Sequence, residues 1–118
     1  MSALTDKDSQ RLRELAERYP RLFGGVLLPW YTPDSWPKMR EAAADRDNLY
    51  DTFEEFERSS TDTFNNLVAA GHPVEKVLID VDALIAWCKA EGRPLDSNAR
   101  HIFAVLSVIE RDKRAGHA

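Results

Sequence analysis

Cysteine is almost absent from this chain, and so are the short motifs that specify catalytic chemistry. Cys88 is the only cysteine among 118 residues, so an intramolecular disulfide is excluded, and its place within a helical pattern predicts a small buried apolar residue. The sequence has no Cys-x-x-Cys or HExxH motif, no glycine-rich phosphate loop and no Ser-His-Asp set. It therefore predicts no catalytic, cofactor-binding or metal-ligating residue.

Long hydrophobic runs and an excess of basic charge are missing as well. No apolar run approaches the roughly 18 residues that span a bilayer, and the N-terminus lacks a signal-peptide pattern, which together predict a cytoplasmic protein without membrane contact. The formal net charge is -4, and the acidic excess concentrates between Asp45 and Asp62, where only Arg46 and Arg58 are basic. Such a surface repels nucleic acid and anionic lipid. It either keeps a helix face solvated or receives a basic protein partner.

The remaining composition, with 43% hydrophobic and 31% charged residues, is typical of one globular domain. We divide residues 1–118 into a helical N-terminal part (1–73), a strand–helix–helix unit (74–113) and a frayed tail (114–118). Capping residues and helical spacing predict about five helices, with Thr5, Asp34 and Thr52 before the first three and Asp96 or Ser97 before the last. Residues 26–31, which follow Gly24-Gly25, are predicted to form a compact apolar loop.

Three aromatic residues, Trp30, Tyr31 and Trp36, lie within seven positions of each other among prolines. They form a candidate aromatic pocket, because rings grouped in this way bind proline-rich or cationic ligands. The alternative is that they are lids of the core, which bury area while their polar atoms reach the surface.

Residues 74–80 are the one principal strand that the sequence predicts. Val77 and Ile79 alternate with Lys76 and Asp80, as in a half-exposed strand. No other segment is a convincing partner, and an isolated strand leaves a row of backbone polar groups unpaired. We therefore predict a homodimer in which this strand pairs across the two copies.

The last predicted helix is apolar at every position from Ile102 to Ile109 except Ser107. A helix that is hydrophobic all round must be buried all round, either by a second subunit or by the other four helices. In so small a domain the second subunit is the favoured explanation. The candidate interface residues are then Val77, Ile79, Phe103, Val105, Val108 and Ile109.

The string Val77-Leu78-Ile79-Asp80-Val81-Asp82 resembles the strand and DxD motif of the haloacid-dehalogenase-type phosphotransferases. That resemblance implies a metal-dependent phosphotransfer enzyme in which Asp80 is nucleophile and Mg²⁺ ligand and Asp82 is general acid/base. The family continues with Gly-Thr, where this chain has Ala83-Leu84. The structural alternative is that both carboxylates serve the start of a helix, with Asp80 as its N-cap.

The order strand, helix, turn, helix in residues 74–113 is similar to ribbon-helix-helix transcriptional regulators. The resemblance implies strands that pair across a dimer and enter the DNA major groove, as in a DNA-binding regulator or antitoxin. The outward strand residues in that family are basic or polar donors, whereas here they are Lys76 and Asp80 or, on the other face, Glu75.

Over nearly its full length the chain also resembles a group of short, functionally uncharacterised bacterial proteins. The resemblance rests on Asp34-Ser35-Trp36, Asp45-Arg46-Asp47, Thr52-Phe53-Glu54-Glu55-Phe56, the segment from Asp80 to Cys88, and Gly92-Arg93-Pro94-Leu95-Asp96 leading to Arg100. It implies a bacterial cytosolic setting and transfers no activity. The leading hypothesis is therefore a non-enzymatic α+β protein, mainly helical, that acts through protein–protein association without a cofactor. The alternatives are the DNA-binding regulator and the phosphotransfer enzyme.

Overall fold

The computed structural model describes residues 5–116, which form five helices and two strands. In chain order these are α1 (Asp6–Arg18), β1 (Val26–Trp30), α2 (Ser35–Ala42), α3 (Phe53–Ala69), β2 (Val74–Leu78), α4 (Val81–Glu91) and α5 (Ser97–Arg114), with 3₁₀ turns at Pro20–Phe23 and Arg46–Asn48. The predicted mainly helical α+β class is confirmed. No helix within these residues is both long and apolar enough to span a membrane. Of the predicted frayed tail, Arg114 ends α5 and residues 117–118 lie outside the described range.

The two strands pair with each other in parallel, with Val26 opposite Val74 and Trp30 opposite Leu78. The predicted apolar loop is thus strand β1, and the expectation that β2 lacks a partner within its own chain is wrong. The backbone N–H of Val26 donates to Pro73 and the carbonyl of Trp30 accepts from Ile79, both at 2.9 Å. In this register the backbone groups of Val26, Leu28 and Trp30 point toward β2, and those of Leu27 and Pro29 point toward the outer edge of β1. Proline has no N–H, and at this outer edge its absence removes no hydrogen bond of the sheet.

Helices cover both faces of this small sheet. Arg111 of α5 forms an ion pair with Glu75 on one face. On the other face the ammonium of Lys76 lies 4.7 Å from the ring centroid of Phe64 in α3. The connection between the parallel strands runs through α2 and α3, which supplies the long crossover that parallel pairing requires.

Helix α5 is the central element of the core. Ile102, Ala104, Val105 and Val108 are each at most 1% exposed, and Ile109 is 6% exposed. Most of the apolar run is therefore buried by the chain itself, the second of the two possibilities that the sequence left open, while Phe103 and Leu106 stay half-buried. Five of the six candidate interface residues belong to this core rather than to the surface, namely Val77, Ile79, Val105, Val108 and Ile109. Only Phe103 remains partly exposed.

The predicted helix caps are largely confirmed. The side chains of Thr5, Thr52, Asp80 and Asp96 accept the backbone N–H groups of Asp8, Glu55, Ala83 and Ala99. Asp34 makes no such bond at α2. There the Thr32 hydroxyl accepts the Ser35 N–H at 3.0 Å, while the Ser35 hydroxyl accepts the Thr32 N–H at 2.9 Å.

Replacing Asp80 with alanine should lower the free energy of unfolding by roughly 0.5–2 kcal/mol, because it removes the 3.0 Å bond to the Ala83 N–H at the start of α4. Asp80→Asn should restore most of the loss, since an asparagine caps equally well. Urea denaturation of the three proteins measures both effects. A magnesium-dependent phosphatase activity that Asp80→Asn abolishes would instead support the phosphotransfer reading.

Charged side chains link helix α1 to the end of α4 and the residues after it. Asp8 is its only buried residue, and the carboxylate accepts two hydrogen bonds from Arg93, each 2.9 Å long. Arg11 pairs with Glu91 at 2.7 Å. The guanidinium carbons of Arg11 and Arg93 lie 5.5 and 5.3 Å from the ring centroid of Trp87, within cation–π range.

Candidate functional site

An apolar groove runs between α4 and α5 beside the end of β2. Its volume is about 530 Å³, and its apolar lining includes Leu78, Trp87, Phe103 and Leu106. We call it the α4–α5 groove. The rings of Trp87 and Phe103 lie against each other, with centroids 5.7 Å apart. Leu78 is 65% exposed, the most exposed of the large hydrophobic residues in the described part of the chain.

The outer edge of β2 adjoins this groove. The Ile79 N–H donates to the Trp30 carbonyl across the sheet. Since backbone groups of successive residues in a strand point in opposite directions, those of Lys76 and Leu78 point away from β1. No further strand pairs with that edge within residues 5–116. Leu78 is exposed beside this edge, and Trp87, Phe103 and Leu106 are half-buried. An open strand edge next to accessible apolar side chains is a common template for adding a strand from another chain.

The rim of the α4–α5 groove carries charges of both signs. Asp80 and Glu110 are acidic, while Arg111 and Arg114 are basic. Arg114 pairs with Glu110 one helical turn away at 3.3 Å, and Arg111 pairs with Asp112 as well as with Glu75. The rim is therefore electrostatically balanced and offers no basic stripe for phosphates.

The two carboxylates of the DxD string bind different partners. Asp80 caps α4, and Asp82 forms an ion pair with Lys38 of α2 at 3.1 Å. No group of three or more histidine, cysteine, aspartate or glutamate side chains suited to a metal ion occurs in the described residues. The structure thus gives Asp80 a structural role, and the enzyme hypothesis stays a prediction.

A second cavity, of about 310 Å³, opens between the end of β1, α2, α3 and the 3₁₀ turn before Leu49. Its aromatic walls are Tyr31, Trp36, Tyr50 and Phe56, and we call it the aromatic cavity. Trp36 and Phe56 stack with centroids 4.5 Å apart, and the Trp36 indole N–H donates to the Tyr50 carbonyl at 3.3 Å. Tyr31 and Trp36, two of the three predicted pocket residues, are therefore brought together here.

Trp30, the third predicted pocket residue, lies outside the lining of the aromatic cavity. Its ring packs edge-on against Phe56, and the Lys76 ammonium lies 4.3 Å from its centroid. Tyr31 and Trp36 are also buried core residues, 4% and 2% exposed, as the lid interpretation requires. The rings of Trp30 and Tyr31 both contact Phe56, with centroids 5.5 and 5.4 Å apart, so their adjacent positions in the sequence could not show which of them lines the cavity.

Burial governs the chemistry of Tyr31. Its hydroxyl is buried and has no hydrogen-bond partner within the described structure. Burial raises the pKa of Tyr31 to about 12, although the nearby Arg100 acts in the opposite direction. The phenol therefore keeps its proton at neutral pH and remains a hydrogen-bond donor.

Sequence reasoning missed Arg100, which also lines the aromatic cavity. Its guanidinium forms two hydrogen bonds with the Asp45 carboxylate, at 2.9 and 2.6 Å, and these bonds lower the pKa of Asp45. Asp51 likewise pairs with Arg40 at 2.8 Å. Asp45 and Asp51, two acidic residues of the segment from Asp45 to Asp62, are thus paired with arginines of the same chain. A basic protein partner for this segment stays a prediction. The sequence had pointed to Arg100 only among the residues of the resemblance, without a place in this cavity.

Cys88 is buried as predicted and is a free cysteine. Burial raises the pKa of its thiol, which keeps it in the less reactive protonated form. In comparisons with protein-family models, curated proteins and solved structures, this chain has no significant match.

Proposed function

We propose that this chain is a non-enzymatic bacterial cytoplasmic protein that acts by association, and that its first partner is a second copy of itself bound at the α4–α5 groove. The observation that carries the proposal is Leu78, which is 65% exposed on the open edge of β2 and lines the groove. Exposed apolar residues grouped beside an open strand edge are typical of association surfaces. The bacterial and cytoplasmic parts rest on the sequence alone.

A second copy of the chain fits this surface because it carries the same open strand edge and the same apolar groove. A two-fold symmetric interface must be self-complementary, since each patch meets its own duplicate. The other copy brings an open strand edge for the backbone groups of β2 and apolar side chains for the groove. The balanced rim, with Asp80 and Glu110 against Arg111 and Arg114, creates no net repulsion between copies. The same balance disfavours duplex DNA, which requires converging basic residues.

Light scattering at micromolar concentration should give about twice the 13.4 kDa chain mass. Leu78→Lys should return the mass to that of a single chain, because a charge would be desolvated at the interface while the exposed site tolerates it in the monomer. Val68→Lys is the matched control: Val68 is 53% exposed on α3 and outside the groove lining, so the dimer should persist.

Two results would contradict the proposal. One is a wild-type protein with the mass of a single chain at every concentration tested. The other is a Leu78→Lys variant that keeps the wild-type mass. Circular dichroism of both lysine variants checks that neither change has altered the fold.

A further inference from the structure

Two exposed residues of opposite charge lie on either side of Leu78 along β2 and its continuation. Lys76 comes two positions before Leu78 and Asp80 two positions after it, and all three are exposed. Neither Lys76 nor Asp80 forms an ion pair within the described part of the chain. The Lys76 ammonium lies over the rings of Trp30 and Phe64, and Asp80 caps α4 through one carboxylate oxygen. Both charges can therefore pair with a second copy of the chain.

Two-fold symmetry determines the direction in which β2 pairs with β2 of a second copy. In a parallel pair related by a two-fold axis, identical N–H groups would face each other at the same height, and no ladder would form. In an antiparallel pair, the outward N–H and C=O groups of the two copies form reciprocal hydrogen bonds. The ladder ends at Asp80, because the Asp80 carbonyl already accepts the Leu84 N–H at 2.9 Å.

Three antiparallel registers pair the outward residues Lys76 and Leu78 with themselves or with each other, and charge distinguishes the three. A register centred on Lys76 places two ammonium groups directly opposite, which is destabilising. A register centred on Val77 places Lys76 opposite Leu78, so neither charge gains a partner. A register centred on Leu78 places the two leucines opposite each other and Lys76 opposite Asp80 on both sides of the axis. Only this last register matches apolar with apolar and cation with carboxylate, the combinations that stabilise strand pairs.

We propose that two copies associate through antiparallel β2 strands in the register centred on Leu78, with Lys76 of each copy opposite Asp80 of the other. This inference rests on the proposed function and names the residues that determine its geometry. It joins the two small sheets into one sheet of four strands, in the order β1-β2-β2-β1. Asp80 serves both roles, because one carboxylate oxygen caps α4 and the other accepts from Lys76. The Lys76–Asp80 pairs determine the register, since each of the other two registers separates them.

Disulfide trapping in the full chain tests the register. Directly opposite residues of a hydrogen-bonded antiparallel pair have Cα atoms about 5.5 Å apart, a distance that a disulfide bridges. Leu78→Cys should therefore form a covalent dimer in oxidised glutathione, which a non-reducing gel detects. Lys76→Cys should not, because the two copies of position 76 are offset by four residues, or roughly 14 Å, along the strands. The wild-type protein, whose only cysteine is the buried Cys88, is the control for other links.

Charge reversal tests the pairing of Lys76 with Asp80. Lys76→Glu places carboxylates opposite each other on both sides of the axis and should raise the dimer dissociation constant roughly tenfold, as analytical ultracentrifugation measures. Adding Asp80→Asn removes the repelling carboxylate, keeps the cap of α4 and should restore most of the affinity. Lys89→Glu, at an exposed α4 position outside the groove lining, changes the net charge equally and should leave the dissociation constant unchanged.

Three results would overturn the register. Lys76→Cys could be trapped as readily as Leu78→Cys, neither variant could be trapped, or Asp80→Asn could leave the defect of Lys76→Glu unchanged. In each case a wild-type protein with twice the chain mass would still support association at the α4–α5 groove. A wild-type protein with the mass of a single chain would overturn the register and the proposed function together.

Discussion

Replacing Val105 with glutamate should leave the chain unfolded. Val105 is 1% exposed in the middle of α5, and Ala104 and Val108 around it are equally buried. A carboxylate placed there loses its hydration, and the effective penalty for one buried ion is several kcal/mol. Since small domains are stable by only about 5–15 kcal/mol, this single change is comparable with the whole stability of the fold. Circular dichroism and urea denaturation should show no cooperative transition.

His101→Glu is the control for this change, because His101 lies one turn earlier on α5 and is exposed. That variant should unfold at nearly the wild-type urea concentration. The sequence alone had favoured a subunit interface for Val105, where a glutamate would shift the mass toward a single chain or cause aggregation. A cooperatively folded Val105→Glu protein with the mass of one chain would therefore refute the buried position of α5 and restore the interface interpretation.

Replacing Gly25 with alanine should destabilise the sheet by roughly 1–3 kcal/mol, the usual range for overpacking a tight contact. A Cβ atom on Gly25 would lie 2.6 Å from the carbonyl oxygen and 2.9 Å from the Cβ atom of Pro73. Relief requires a backbone shift, and the Pro73 oxygen is the acceptor for the Val26 N–H at the start of the strand pair. The loss should appear as a lower denaturation midpoint and as faster hydrogen exchange at the Val26 amide.

The neighbouring glycine gives a matched control. A Cβ atom on Gly24 would have the Arg21 carbonyl oxygen as its nearest neighbour, at the ordinary contact distance of 3.7 Å. The Gly24 backbone has a φ of -83°, which alanine adopts without strain. Gly24→Ala should therefore leave stability unchanged or raise it slightly, by restricting the unfolded chain. Equal losses in both variants would show that the contact with Pro73 is not the cause.

Local signals in the sequence predicted the helices well because helix ends are determined by nearby residues. Thr5, Thr52, Asp80 and Asp96 each cap the helix that follows them, and each bond spans only three positions. Strand β1 was missed because its evidence lies far away in sequence. Pro29 and the preceding glycines are typical of a loop, and only pairing with residues 74–78 makes the segment a strand.

The same distinction explains what could be predicted of the candidate sites. Tyr31 and Trp36 lie close in sequence, and their convergence was predicted. The completion of the aromatic cavity by Tyr50, Phe56 and Arg100 depends on how α3 and α5 pack, and no local pattern encodes that packing. The burial of α5 was likewise ambiguous, since an apolar helix has the same sequence whether its own chain or another covers it.

The parallel pairing of β1 with β2 has a consequence for how the protein is made. β1 ends at Trp30 and β2 begins at Val74, so the ribosome, adding roughly 5–20 residues per second, completes the first strand seconds before its partner exists. During that interval β1 is an unpaired apolar segment, which could pair with a strand of another nascent chain. Pro29 withholds one N–H from the edge that remains open. Pro29, which makes β1 resemble a loop in the sequence, thus weakens pairing at the outer edge of the strand, whereas the inner edge stays available for β2.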